Sequence, residues 1–367
     1  MKAIYLSTKA LIFLILFGIL RVQSVSGEEE VSIVEMQTEE TAEEAGGDLV
    51  GIIMHHIADA NEWHLVGDVT IPLPVIIYNQ DNGELFFSMS TAFNSHHGEG
   101  ETVVEGYQMV HSRVVPVNEN TSYIDFSITK NVAGLILAGI IMLLIFIPIA
   151  GAYKKREGQA PSGLQNFMEP LILFVRDEIA IPNIGEKKAD KYMPYLMTVF
   201  FFIWILNMLG LVPLIGSPNV TGNIAVTLAL SLITLILTVG SGNGHYWKHL
   251  VDPLGNSMPW AGKIMIYLIL VPIELIGILT KPFALMIRLF ANITAGHIIV
   301  LSLVGLIFVF GNFGESTGGA ATGAALAVPL TLFISLLELL VAALQAFIFT
   351  LLSALFIGQA VEEPAHH

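Results

Sequence analysis

The sequence predicts an all-α polytopic membrane protein with a small exported domain at its front. Three observations carry that expectation. Of the 367 residues, 54% are hydrophobic and only 13% charged, a composition that belongs to a chain dissolved in lipid. The apolar residues are gathered into runs of bilayer-spanning length from Val132 onward. The acidic excess is confined to the front: Glu28 to Asp125 holds nineteen Asp and Glu against a single basic residue, Arg113. That excess argues against nucleic acid as a partner. There is no cysteine, so disulfides, thiolate metal sites and thiol catalysis are excluded.

Taken in order, residues 1–27 read as a signal peptide. Lys2 and Lys9 precede the apolar core Ala10 to Leu20, and Ser24-Val25-Ser26 supplies small residues for cleavage. An uncleaved anchor is the alternative; either way the acidic segment is exported. Residues 28–48 are an acidic linker, low in aromatics. Residues 49–127 carry Trp63, the run Ile71 to Tyr78, and Leu85-Phe86-Phe87, with the turn signal Asp81-Asn82-Gly83 between two apolar runs. That pattern predicts a small domain, α/β or β-containing, with a hairpin at Asn82. Its six histidines (His55, His56, His64, His96, His97 and His111) permit metal binding, but a solvated surface is the reading preferred; no metal site or cofactor is expected.

Residues 128–361 form the membrane domain, with five expected crossings. Val132 to Ala152 is the first, and Lys154-Lys155-Arg156 directly after it marks its cytoplasmic end. The exported domain therefore lies outside a bacterial plasma membrane. Leu164 to Ile181 carries Glu169, Arg176, Asp177 and Glu178 and reads as a cytoplasmic interfacial helix. Tyr195 to Ile215 spans outward, Ser217 to Asn223 turns outside, and Ile224 to Val239 returns. Ile264 to Phe310 is too long for one upright span, since one helix of that length would approach ~70 Å. With Pro272 and Pro282 inside it, a steeply tilted or bent helix is expected. Gly311 to Ala325 reads as a small-residue loop outside, Val328 to Ile357 as the last span, and residues 362–367 as a cytoplasmic tail.

Chemistry concentrates in the last two spans. Arg288 is a guanidinium at membrane depth; it cannot lose its proton, and its placement there costs several kcal/mol. Glu274, Asn292 and His297 share its segment, and Glu338 and Gln345 interrupt the final one. Glu274 and Arg288, fourteen apart, share a helical face, whereas His297, nine beyond Arg288, falls on the opposite side. Glu338 and Gln345, seven apart, point the same way about 10 Å from each other. His297 and Glu338 can exchange protons; Arg288 cannot. Singly, each has an ordinary reading: a satisfied buried histidine, a capped polar pocket, an interfacial glutamate, a helix-bonding glutamine. Lys281 reads as an anchor snorkelling to the interface, and Asn207 and Asn223 as packing or turn groups, with a water path as the lesser reading for both. No Gly-rich phosphate loop ending in Lys-Ser/Thr occurs, so the chain is not expected to hydrolyse nucleotide.

The segments Lys281-Pro282 through Arg288-Leu289-Phe290-Ala291-Asn292 to His297, Leu344-Gln345-Ala346-Phe347 to Thr350, and Asn207-Met208-Leu209-Gly210-Leu211-Val212-Pro213 resemble the a subunit of the F-type ATP synthase. The resemblance covers Lys191 to Ile357. It implies a non-catalytic stator whose long helix pair packs against a ring of c subunits, with the subunit b peripheral stalk and the rest of the F1Fo complex as further partners. It implies two offset half-channels, the outer served by His297 and Glu338 and the inner by Glu274. Arg288 would face the ring carboxylates, supported by Asn292 and Gln345. In some members Glu and His stand where this chain has His297 and Glu338, so the pair looks exchanged. The exported segment is longer than the family requires. A secondary transporter using Arg288 as an anion site, or a receptor acting through its exported domain, are the rival readings.

Overall fold

A computed structural model of the chain describes residues 57–362 apart from 66–68, 94, 97–98, 101, 119, 157, 213–217, 253–259 and 313–315. The expected signal peptide, the acidic linker, His55, His56, His97 and the end of the chain lie outside the described residues.

The front of the described chain is built of short strands. β3 (Pro74–Asn79) lies antiparallel between β4 (Leu85–Met89) and β9 (Tyr123–Asp125). β1 (Glu62–His64) pairs with β2 (Thr70–Pro72), β5 (Ser95–His96) with β6 (Glu99–Gly100), and β7 (Tyr107–Val110) with β8 (Arg113–Pro116). The hairpin expected at Asn82 joins β3 to β4. Asn79 Oδ1 accepts from the Asp81 amide at 2.9 Å, and Gly83 takes φ +71°, a conformation glycine reaches without steric penalty. Alternation along β3 and β4 turns Val75, Ile77 and Phe86 inward onto Phe93, Met109 and Val114, and Phe86 stacks on Tyr107 at 4.5 Å. This small core is separate from that of the membrane helices.

The strands join the first helix, α1 (Lys130–Lys155), through backbone and carboxylate bonds. Lys130 donates its amide to the Ala60 carbonyl at 2.8 Å, and Asn131 donates to Asp59 Oδ1 at 3.0 Å. Asp59 also pairs with Arg113 at 3.7 Å. Thr129 caps the helix.

Five helices are long and apolar enough to cross a bilayer. They are α1, α4 (Glu186–Leu211), α5 (Ile224–Ser241), α7 (Trp260–Phe310) and α8 (Thr317–Val361). Between α1 and α4 the chain forms α2 (Leu164–Phe174), continues through a π-helical turn, Val175–Ala180, into α3 (Ile181–Ile184), and turns at Gly185, φ +89°. The helix expected over Leu164 to Ile181 thus runs three residues further, and Val175, Ile179 and Ala180 bury its second half against α4 and α8. A short α6 (Gly244–Val251) follows α5.

α4 is the centre of the bundle. Phe200, Phe201, Phe202, Leu196, Ile203 and Leu206 are buried, with Phe201 against Phe146 of α1 at 4.9 Å. α1 and α8 pack on α4, while α5 and α8 flank α7. Buried hydroxyls are satisfied within this apolar setting: Thr198 donates to the Pro194 carbonyl at 2.7 Å, Thr350 to Ala346 at 2.7 Å and Ser353 to Phe349 at 2.8 Å.

One expectation is corrected. Residues 317–325, expected within an external loop, are the first turns of α8. Their small side chains serve close packing instead: a Cβ at Gly323 would press on Phe310 and Ile307, and one at Gly311 on Ala320. The long segment, expected as a helix, is helical from Trp260 to Phe310 with both prolines inside it; each proline leaves one backbone carbonyl without its helical donor, a loss that packing against flanking helices tolerates.

Candidate functional site

α7 carries the polar residues in two groups on either side of Arg288. The first begins with His297, on the face of α7 opposite Arg288, as the nine-residue interval requires. It packs over Gly210 of α4, where a Cβ would meet its Nε2 at 3.5 Å. Its chain neighbour Gly296 lies directly against the Glu338 carboxylate of α8, and any larger residue there would collide with it. Asn292, His297, Glu338, Asn207 and Leu211 line one cleft with Ile293 and Val341. Asn207 is 2% exposed and held from two sides: it donates to the Ala342 carbonyl of α8 at 3.3 Å and accepts from Thr221 at 2.8 Å. The cleft therefore collects an imidazole, a carboxylate and two carboxamides from three helices. Each can pass a proton or hold a water that does.

The second group lies toward the start of α7. Lys281 donates to Gln359 Oε1 of α8 at 2.9 Å and stands 5.1 Å from the centre of the Phe356 ring. Lys281 and Pro282 line a second cleft with Ile278, Thr234, Leu235 and Thr238 of α5, Tyr246 of α6 and Phe356. The Tyr246 phenol is pushed above its ordinary range by burial and then by the negative charge of Glu274, and that same charge acts on Lys281. Glu274, half-buried, thus belongs electrostatically to this cleft. Lys281 is bonded into the helix pair rather than merely reaching for the interface.

Arg288 stands between the two groups, exposed on the outer face of α7. Among the described residues it makes no hydrogen bond or ion pair. Asn292 is exposed on its own helix, and Gln345 is 3% exposed on the inner face of α8; neither bonds to Arg288 within the chain. Ala284, Ala291 and Ala295 flank the guanidinium on the same exposed face, so another helix could approach it closely. Among the described residues no three His, Asp or Glu side chains converge as a metal site would require.

The sequence reads Asn207 first as a packing polar group, with a water path as the lesser reading. Its place in the cleft follows from the turn at Thr221 and from the approach of α8. Tyr246 and Gln359 gave no sequence signal: each is a single polar residue near a helix end, and tertiary contact alone joins them to Glu274 and Lys281.

A helical membrane protein, with an arginine exposed on one long helix and a polar cleft to either side of it along that helix, is the class that fold and geometry define. A family model described as "ATP synthase A chain" matches residues 132–358. The chain is 46% identical over 248 residues to "ATP synthase subunit a" of Chloroherpeton thalassium, covering 66% of this chain and 69% of that protein. It is 44% identical over 249 residues to the protein of the same name from Myxococcus xanthus, covering 66% of this chain and 76% of that one. The corresponding protein of Anaeromyxobacter dehalogenans is 44% identical over 249 residues, 66% of this chain and 60% of its own length. The chain belongs to the ATP synthase A chain family, and it is a non-catalytic membrane subunit. A second family model, described as a domain of unknown function, matches residues 52–133.

Proposed function

We propose that this chain is the proton-translocating stator of a rotary ATP synthase and that Arg288 separates two half-channels within it. The single observation that carries this reading is the placement of Arg288 on α7. It is exposed, without a hydrogen bond or ion pair among the described residues, flanked by alanines and set between two polar clefts. A guanidinium in that position needs an anionic partner from outside the chain. The relatives' name supplies the class of partner: a subunit of ATP synthase. A ring of c subunits bearing membrane carboxylates fits the bare face, and a peripheral stalk holds the stator fixed.

In this mechanism a proton enters through the His297–Glu338 cleft and neutralises a ring carboxylate. The neutral acid can then face lipid, which the ion cannot. After nearly a full turn it reaches the Glu274 side and releases its proton. Arg288 attracts the bare carboxylate and, never releasing a proton itself, blocks leakage between the clefts. Each charge driven across 100 mV contributes about 2.3 kcal/mol to rotation.

The positive-inside bias of Lys154, Lys155 and Arg156 supports a cytoplasmic C-terminal end for α1. The strand-built region then lies outside, residues 49–127 being the exported domain and residues 128–361 the motor subunit. The His297–Glu338 cleft opens outward and the Glu274–Lys281 cleft inward.

The test is Arg288→Ala in the whole complex reconstituted in liposomes. Proton-driven ATP synthesis should fall below detection while the complex still assembles. Synthesis retained at the original rate would overturn the reading.

A further inference from the structure

We propose that Lys281, tethered by Gln359, is the electrostatic element that drives proton release at the inner cleft, completing a ladder of fixed charges along one face of α7. This rests on the half-channel reading above and adds a residue and a role to it.

Glu274, Lys281 and Arg288 recur every seven residues. On a helix that spacing keeps all three on nearly one face, about 10 Å apart. α8 runs antiparallel to α7 and carries Glu338, Gln345 and Gln359 at multiples of the same interval. Two contacts fix how the helices meet: Gly296 against Glu338 at one end and Lys281 against Gln359 at the other. Asn292, Gln345 and Arg288 fall between them. The half-buried ammonium of Lys281 is held rather than free, because Gln359 accepts its proton at 2.9 Å and the Phe356 ring lies beneath it.

Pro282 strengthens the site. It has no amide hydrogen, so the Ile278 carbonyl one turn earlier lacks its helical donor, and both residues line the Lys281 cleft. The groups facing Lys281 can be enumerated by element. α7 contributes Glu274, with Arg288 seven residues further along it, α5 the hydroxyls of Thr234 and Thr238, α6 the Tyr246 phenol, and α8 Gln359 and Phe356. Glu274 is the one carboxylate in that set.

A protonated carboxyl brought alongside this face therefore meets two cations, Arg288 and Lys281, before it meets Glu274. A nearby positive charge favours the ionised acid. The proton leaves the ring carboxyl and passes by way of water to Glu274, while the carboxylate left behind is held by the cations. On the other side of Arg288 the sequence holds no further Lys or Arg, and the opposite cleft offers His297, Glu338, Asn207 and Asn292. The asymmetry loads an acid at one cleft and empties it at the other.

The experiment is ATP-driven proton pumping by the reconstituted complex carrying Lys281→Gln, followed against pH on the cytoplasmic side. Pumping loads the ring from that side. Without the cation the ring acid holds its proton to higher pH, so the alkaline limb of the profile should move up by about one pH unit, the effect of one charge at about 10 Å. Lys281→Arg should restore the original limb, and varying the outer pH should reveal no shift. Gln359→Leu, which frees the ammonium without removing it, should move the limb the same way by less. A uniform loss of pumping with an unmoved limb in both Lys281→Gln and Gln359→Leu would overturn the proposal, as would a shift seen equally from the outer side. Synthesis surviving Arg288→Ala would instead sink the parent reading.

Discussion

α4 and α7 are both apolar enough to cross a membrane, yet the chain treats them in opposite ways. In the most apolar stretch of α4, 72% of the residues are buried inside the subunit; in that of α7 the share is 11%. α4 fills its surroundings with Phe200, Phe201 and Phe202 and meets α1, α8 and the π-helical turn. α7 leaves Leu268, Ile269, Ile273, Ile276 and Phe283 exposed along with Arg288. Apolar exposure costs nothing against lipid tails, but a bare guanidinium does. The lesson is that hydropathy identifies a span, while a charge left exposed on it is what singles out the face proposed to work.

Beyond Arg288→Ala, the most damaging test of this contrast lies inside α4. Phe202→Ala should open a cavity where nothing can relax, costing about 3–5 kcal/mol, and should lower the yield of folded subunit in detergent. The matching change on α7, Phe283→Ala, should leave that yield unaltered. Equal losses at the two positions would show that both helices are packed by the chain itself.

A smaller effect on stability, with a larger one on assembly, is expected from Ala291→Leu. The site is exposed, so the isolated subunit should melt at its original temperature. The added side chain should block close helix approach, and the subunit should then co-purify poorly with the rest of the complex. A complex that forms and turns over normally would show that this face is turned to lipid.

The smallest change is expected at the cleft. Thr221→Val removes the 2.8 Å bond to Asn207, worth about 1 kcal/mol or less between membrane helices. Proton-driven synthesis should slow severalfold as Asn207 loses its fixed orientation, with subunit yield little changed. If Asn207→Leu leaves the rate untouched, the cleft carries no protons.

Much of this arrangement was legible from residue order alone. Apolar run lengths give five spans because a bilayer fixes the length of a helix that must bond its own backbone. The hairpin at Asn82 was readable because Asp-Asn-Gly suits a reversal that few other triplets allow. Nine residues suffice to set His297 against Arg288, since helical phase is a local property. The run from Gly311 to Ala325 was misleading. Its glycines read as a loop by propensity, but small residues also let α8 close on Phe310 and Ile307, and packing won.

The sequence by itself determined which segments are apolar enough to enter the membrane, which residues on them carry titratable side chains and which one stays charged. Those are consequences of composition, helical period and intrinsic acidity. Tertiary structure alone decided that Asn207 joins His297 and Glu338, that Gln359 and Tyr246 gather around Lys281 and Glu274, and that Arg288 is left uncovered. The reason is physical: such groupings depend on how far α8 slides along α7 and how closely α4 approaches both. That register is set by many weak contacts distant in sequence, none of which announces its partner.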